Sequence, residues 1–101
     1  MWNAIGAMSG SSLDGLDVAL CRFEVQEERW TWSIDRAQTL PYPDAMRQRL
    51  LGAMDASALE LARLHRDLGT LIGEACRGLA GDERIDVIGS HGHTVFHRPN
   101  E

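Results

Sequence analysis

The sequence predicts an α/β fold in which a meander of three antiparallel strands is followed by helices and one parallel strand. Three observations predict it: apolar residues near alternate positions in the first part of the chain, a long stretch of apolar residues at helical spacing after them, and a short apolar run after that stretch. With 101 residues, 44% of them apolar and 25% charged, the chain has the size and composition of one globular domain at most.

The three strands of the meander are predicted over residues 3–8, 17–25 and 30–40. Val, Leu, Phe, Trp and Ile recur near alternate positions in the second and third of these segments, which is the pattern of half-buried strands. Turns of polar residues and glycine separate the segments, as in antiparallel neighbours. Pro41 and Pro43 then end the meander, because neither proline can donate a hydrogen bond to a neighbouring strand.

A short helix is predicted after the prolines, from Asp44 to about Ala53. Asp44 is expected to cap it, since a carboxylate can accept hydrogen bonds from the amides of the first turn. The residues expected on its buried side are Met46, Leu50 and Leu51.

A longer helix is predicted to begin after Ser57, because Ser57 and Glu60 stand at the spacing of a capping box. Gly81 is the expected stop. Between them apolar residues recur at steps of three and four, which is typical of a helix with one buried face. These residues are Leu61, Leu64, Leu68, Leu71, Ile72, Ala75 and Leu79.

The apolar run at residues 85–89 predicts a buried strand. A long helix before it indicates a crossover connection, which makes this strand parallel to its neighbour. A parallel strand normally has cover on both faces, and the one long helix can cover only one of them. We therefore expect residues 1–101 to be the front part of a larger protein.

The charge balance argues against two classes of partner. Ten basic and fifteen acidic residues leave a net charge of −5, which disfavours nonspecific binding of nucleic acid or anionic lipid. Every basic residue is arginine, so a phosphate-binding lysine and Schiff-base chemistry are excluded within this chain. Cys21 and Cys76 form no CxxC pattern and are expected to stay reduced. No signal peptide or membrane span is evident, so the expected location is the cytoplasm.

The segment GAMSGSSLDG, residues 6–15, begins in the first predicted strand and continues into a loop rich in glycine and serine. Glycine allows main-chain amides to approach an anion closely, and hydroxyl groups add short hydrogen bonds. A nearby aspartate can hold Mg²⁺ directly or through water. The loop therefore has the composition of a phosphate-binding turn. An ordinary hairpin turn explains the same residues equally well.

Three histidines near the end, His91, His93 and His97, form the second candidate site. On an extended segment, His91 and His93 would point to one face and could bind Zn²⁺ or polarise a substrate. No fourth metal ligand is evident, so hydrogen bonding to a substrate is the favoured interpretation. Arg98 could pair with an anionic group of that substrate.

Residues 8–20 (MSGSSLDGLDVAL) and 90–99 (SHGHTVFHRP) together closely resemble two motifs of the anhydro-N-acetylmuramic acid kinase family. The resemblance implies the fold shared by sugar kinases, Hsp70 and actin, in which ATP and sugar lie between two ribonuclease H-like domains. Residues 1–101 would then be the N-terminal part of the first domain, a partial ribonuclease H-like unit. The remainder of the enzyme would lie outside this chain.

The resemblance also implies the reaction, which belongs to peptidoglycan recycling and amino sugar metabolism. Enzymes of this family use ATP and Mg²⁺ to hydrolyse the 1,6-anhydro ring of anhydro-N-acetylmuramic acid and to phosphorylate O6, giving N-acetylmuramate 6-phosphate. Their partners are the sugar and ATP, with no nucleic acid or membrane, and a homodimer is compatible with the resemblance.

Two groups of site residues are carried over from the family motifs. The nucleotide-binding loop would comprise Gly10, Ser11, Ser12, Leu13, Asp14, Gly15, Leu16 and Asp17. The sugar contacts would comprise His93, Thr94, His97 and Arg98. The catalytic general base, an aspartate, is expected in a later segment, so residues 1–101 alone are expected to be inactive.

The sequence departs from the family pattern at two positions. The family commonly has threonine at the position of Ser11 and glutamine at the position of His93. Two other interpretations stay open: a fragment of a metal-dependent hydrolase that uses His91 and His93, and a non-catalytic domain in which the loop merely connects strands.

Overall fold

The computed structural model describes residues 1–10 and 13–100. Their elements follow the predicted order of three strands, helices and a last strand, so the α/β class is confirmed. The strands are β1 (Trp2–Ser9), β2 (Leu16–Gln26), β3 (Arg29–Leu40) and β4 (Val87–His93); the helices are α1 (Asp44–Leu51) and α2 (Ala58–Ala80), with a short 3₁₀ turn (Ala53–Asp55) between them.

The four strands form one sheet in the order β3-β2-β1-β4. The three strands of the meander are antiparallel, with Ile5 opposite Leu20 and Leu20 opposite Arg36. Strand β4 runs parallel to β1, with Ile5 beside Ile88. The predicted crossover is confirmed, because α2 returns the chain so that β4 runs in the same direction as β1.

Helix α2 covers one face of the sheet. Its start is as predicted: the Glu60 amide donates to Ser57 Oγ at 3.1 Å, which satisfies one of the unpaired amides of the first turn. The apolar face of α2 packs on strand residues that point toward it. The side chains that are almost completely buried between them are Ile5, Leu16, Val18 and Leu20 from the sheet, with Leu64, Leu68, Cys76 and Leu79 from α2.

Helix α1 differs from its prediction at both ends. Pro43 occupies the N-cap position with an extended backbone, and Asp44 is the first helical residue without a side-chain capping bond. The cap prediction was therefore wrong, although a carboxylate in the first turn still faces the positive end of the helix dipole. Met46 and Leu50 are buried, whereas Leu51 is 58% exposed because it ends the helix and lies about a quarter-turn from Leu50.

Strand β4 is longer and far more exposed than predicted. It extends to His93, and Val87 and Ile88 expose more than half of their surface. The cause is position, since β4 is an edge strand and the sheet face opposite α2 lacks cover among the described residues. Trp32 lies on that second face and is 68% exposed.

Both cysteines are free thiols, in agreement with the prediction, and burial raises the pKa of the Cys76 thiol. Among the described helices, none is both long and apolar enough to span a membrane.

Candidate functional site

The carboxyl ends of β1 and β4 lie side by side, where Ser9 is the register partner of His93. The glycine-serine loop leaves the sheet after Ser9, and residues 94–100 leave it after His93. We call this region the carboxyl end of the sheet. In open α/β sheets, ligands bind outside the carboxyl ends of the parallel strands. The fold thus brings together the two segments that the sequence analysis singled out.

The described part of the loop has a specific backbone shape. The Leu13 amide donates to the Gly10 carbonyl oxygen at 3.1 Å, and Leu13 has a φ of 58°, which is strained for a leucine. A Cβ atom on Gly15 would lie 2.5 Å from the carbonyl oxygen of Leu40, so only glycine fits there without movement. The predicted residues Ser11 and Ser12 lie outside the described residues.

The predicted loop residues divide into anchors and exposed carboxylates. The side chains of Leu13 and Leu16 are buried in the core, so they hold the loop on the sheet. Asp14 and Asp17 are exposed. Thr39 donates a hydrogen bond to one carboxylate oxygen of Asp17, which orients that side chain. The loop and the start of β2 therefore offer two carboxylates of the type that a hard cation such as Mg²⁺ accepts.

The predicted sugar contacts lie at different depths. His93 is partly buried at the end of β4, while Thr94, His97 and Arg98 are exposed in the segment that follows. Beside His93 is a mainly apolar cavity of about 360 Å³. Its walls come from α2 and from the chain around His93, and they include Leu64, Leu68, Ile72, Ser90, Val95 and Phe96.

His91 and His93 point to opposite faces of the sheet, so the prediction of a shared face was wrong. Ala7 pairs with Ser90 and Ser9 pairs with His93, which leaves one extra residue in β4. Gly92 lies in this bulge with a φ of 74°. The bulge breaks the alternation that the prediction assumed.

The consequence is that the two histidines face different surroundings. His91 borders a concavity of about 610 Å³ on the face opposite α2, whereas His93 contacts Ser9 on the α2 side. No group of three or more metal-binding side chains occurs in residues 1–10 and 13–100. The described residues therefore give the two-histidine zinc site no support.

Sequence analysis missed two residues of this region, Ser9 and Tyr42. The Tyr42 hydroxyl donates a short hydrogen bond to Ser9 Oγ, and Ser9 Oγ lies 2.9 Å from His93 Nδ1. A signal was available, because strand alternation places Ser9 on the buried face with Ile5 and Ala7. A hydroxyl on a buried face requires a hydrogen-bond partner, which Tyr42 and His93 supply.

Comparison with known proteins gives matches over nearly the whole chain. The family model described as anhydro-N-acetylmuramic acid kinase matches residues 2–101. Relatives that carry this name include proteins of Acaryochloris marina, 37% identical over 96% of this chain, and Azorhizobium caulinodans, 40% identical over 96%. A third, from Vibrio vulnificus, is 38% identical over 95%. The chain spans 27%, 29% and 27% of the lengths of these three relatives. By the extent of the family match, the chain belongs to the anhydro-N-acetylmuramic acid kinase family.

Proposed function

We propose that the protein that contains this chain is an ATP-dependent kinase acting on 1,6-anhydro-N-acetylmuramic acid in the cytoplasm, as part of peptidoglycan recycling. The names of its relatives support the kinase activity and the sugar. Residues 1–101 form the N-terminal part of its first domain and supply the phosphate loop. We expect them to be inactive alone, because the general base belongs to a later segment.

The proposed reaction couples ring opening to phosphoryl transfer. A water oxygen bonds to the anomeric carbon C1 as the bond between C1 and O6 breaks. O6 then bonds to the γ-phosphorus of ATP, and the bond from that phosphorus to the bridging oxygen of ADP breaks. One proton of the attacking water passes to the general base, and the other stays in the new hydroxyl group on C1. The products are N-acetylmuramate 6-phosphate and ADP.

The glycine-serine loop is the proposed contact with the nucleotide. Because the chain has no lysine, its main-chain amides and hydroxyl groups would bind the polyphosphate. The Leu13 amide is already engaged by Gly10, so Leu13 contributes to the loop's shape. Mg²⁺ neutralises phosphate charge in such reactions, and Asp14 and Asp17 are the loop carboxylates that would hold it directly or through water.

The segment after β4 is the proposed contact with the sugar. His93, Thr94 and His97 supply side chains that hydrogen-bond to hydroxyl and carbonyl oxygens. Arg98 supplies a cation for the carboxylate of the sugar's lactyl group. The observation that carries the proposal is the register of Ser9 with His93, because this segment then begins beside the glycine-serine loop.

The proposal is tested in the protein at its full encoded length by measuring ADP and sugar phosphate formation. We expect Gly10→Val to weaken ATP binding at least about tenfold, because the new side chain blocks the approach of phosphate to the main chain. Gly78→Val is the matched control, since Gly78 is exposed on α2 with open space around it. Unchanged ATP affinity and turnover in Gly10→Val would show that this loop does not bind the nucleotide.

A further inference from the structure

A chain of hydrogen bonds connects three segments at the carboxyl end of the sheet. Tyr42, from the turn between the two prolines, bonds to Ser9 at the end of β1, and Ser9 bonds to His93 at the end of β4. Ser9 is 2% exposed and Tyr42 is 8% exposed. Within the described part of the chain, Ser9 and Tyr42 are the buried residues that carry a hydroxyl group. These two hydrogen bonds restrict the rotation of the His93 ring.

The hydrogens of Tyr42 and Ser9 allow both hydrogen bonds to run in the same direction, toward His93. The Tyr42 phenol has one hydrogen, and it donates that hydrogen to Ser9 Oγ. The Ser9 hydroxyl also has one hydrogen, which is then free to be donated to His93 Nδ1 at 2.9 Å. An Nδ1 that accepts a hydrogen bond carries no proton. If Ser9 donates to Nδ1, a neutral His93 ring carries its proton on Nε2.

The arrangement leaves Nε2–H as the ring's remaining donor. His93 lines the apolar cavity beside β4 together with Ser90, Gly92, Val95 and Phe96. A donor in mainly apolar surroundings makes a stronger hydrogen bond than one in water, and it costs more when it has no partner. Such a group favours a ligand that presents an oxygen acceptor.

We propose that Ser9 and Tyr42 are positioning residues that hold His93 as the Nε2–H tautomer, so that it donates a hydrogen bond to an oxygen of the bound sugar. The identity of the ligand rests on the proposed function. The tautomer and its dependence on Ser9 are inferred from the hydrogen bonds of Ser9 and do not require the proposed function. A glutamine at position 93 would offer the same pair of groups: its side-chain oxygen would accept from Ser9, and its NH₂ group would donate to the ligand.

The direct test is side-chain nitrogen NMR of His93 in the protein at its full encoded length, without ligand. We expect one tautomer with the proton on Nε2, and we expect addition of the sugar to shift the Nε2 signal. A proton on Nδ1 in the wild-type protein would overturn the proposal. This measurement needs no catalysis, so it remains decisive even if the protein transfers no phosphate to the sugar.

Kinetics of variants test the positioning role. Loss of one hydrogen bond to an uncharged oxygen of the ligand corresponds to about a three- to tenfold change, so Ser9→Ala and His93→Leu should raise the KM for the sugar by that factor or more. The KM for ATP should change less. His93→Gln should recover most of the sugar affinity that His93→Leu loses, which a purely structural role of the ring would not predict.

Tyr42→Phe and Ser33→Ala complete the set. Tyr42→Phe removes the first donor but keeps the ring that packs in the core, so it should raise the KM for the sugar less than Ser9→Ala. Ser33 is exposed on β3, and Ser33→Ala is the matched control for the loss of a hydroxyl. Equal sugar KM values for His93→Leu, His93→Gln and the wild type would refute the proposed contact. An effect of Ser9→Ala on ATP alone would refute the coupling to His93.

Discussion

Different kinds of interaction stabilise the two ends of the sheet. At the carboxyl end, the side chains of Tyr42, Ser9 and His93 form a largely buried chain of hydrogen bonds. At the opposite end, near the starts of β1 and β4, the corresponding bonds join charged groups. Arg22 Nη2 donates to Glu83 Oε1 at 2.8 Å, with both side chains about 30% exposed.

At the charged end, arginines of the meander hydrogen-bond to the end of α2 and to the segment that follows it. Arg22 also donates to Asn3 Oδ1, and Arg36 donates both to Glu83 and to the Leu79 carbonyl oxygen in the last turn of α2. These bonds connect β2 and β3 to the segment between α2 and β4. The hydrogen bond from Arg22 lowers the pKa of the Glu83 carboxyl, against the opposing effect of desolvation.

The two ends have different roles: the ion pairs at the charged end stabilise the fold, and the carboxyl end presents the proposed binding surface. Partly exposed ion pairs keep some of their hydration, so they can link two segments of the chain at little desolvation cost. Buried charges beside the glycine-serine loop would require compensation and would alter the field at a site proposed for an anionic nucleotide. A neutral chain orients side chains there without adding charge.

The largest expected effect concerns the core beneath the carboxyl end. Leu16 is completely buried opposite Ser9, beneath the carboxyl end of the sheet. We expect Leu16→Ala to lower the free energy of unfolding by about 2–5 kcal/mol, because it removes buried apolar surface and leaves a cavity. Urea unfolding followed by circular dichroism measures the change. Ile34→Ala, at a position 57% exposed, is the control, and a similar loss there would contradict this interpretation.

A smaller effect is expected at Gly15, where the loop passes close to the main chain of β3. A methyl group would meet the Leu40 carbonyl oxygen, so Gly15→Ala should cost about 1–3 kcal/mol and should also weaken ATP binding. Thermal unfolding and nucleotide titration test both effects. Gly73→Ala on α2 has open space and should be neutral or slightly stabilising. A stable Gly15→Ala variant with wild-type ATP affinity would show that the loop shape is not needed.

The smallest effect is expected at the charged end, and it depends on pH. The folded-state pKa of Glu83 lies below its ordinary value of 4.5, so its contribution to stability is complete above that value. The contribution disappears as the pH falls through the lowered pKa. Glu83→Gln should therefore reduce the urea midpoint modestly at neutral pH, while the two proteins converge in acid.

Salt gives a second measurement of the same bonds. Added salt should narrow the difference between wild type and Glu83→Gln, because it screens partly exposed charges. The Ser9→Ala variant should show no comparable dependence on salt. A Glu83→Gln difference that persisted unchanged in acid and in high salt would mean that packing, not charge, holds this end.

Local patterns predicted most of the fold. The alternation in β2, the prolines at 41 and 43, and the capping pair of Ser57 and Glu60 each depend on residues a few positions apart. The parallel strand followed from chain geometry, since a long helix before a short apolar run allows few other connections. The glycine-serine loop was identified by composition. Its nucleotide contacts remain a prediction.

The amino-acid sequence by itself determined which segments become strands and helices, because those preferences arise from neighbouring residues and their spacing. The tertiary structure alone decided that a bulge at Gly92 turns His91 and His93 to opposite faces, and that Ser9 meets both Tyr42 and His93. The two hydrogen bonds of Ser9 join residues that are far apart in the sequence, by 33 positions for Tyr42 and by 84 for His93. Such contacts are set by strand register and packing, which no local pattern contains.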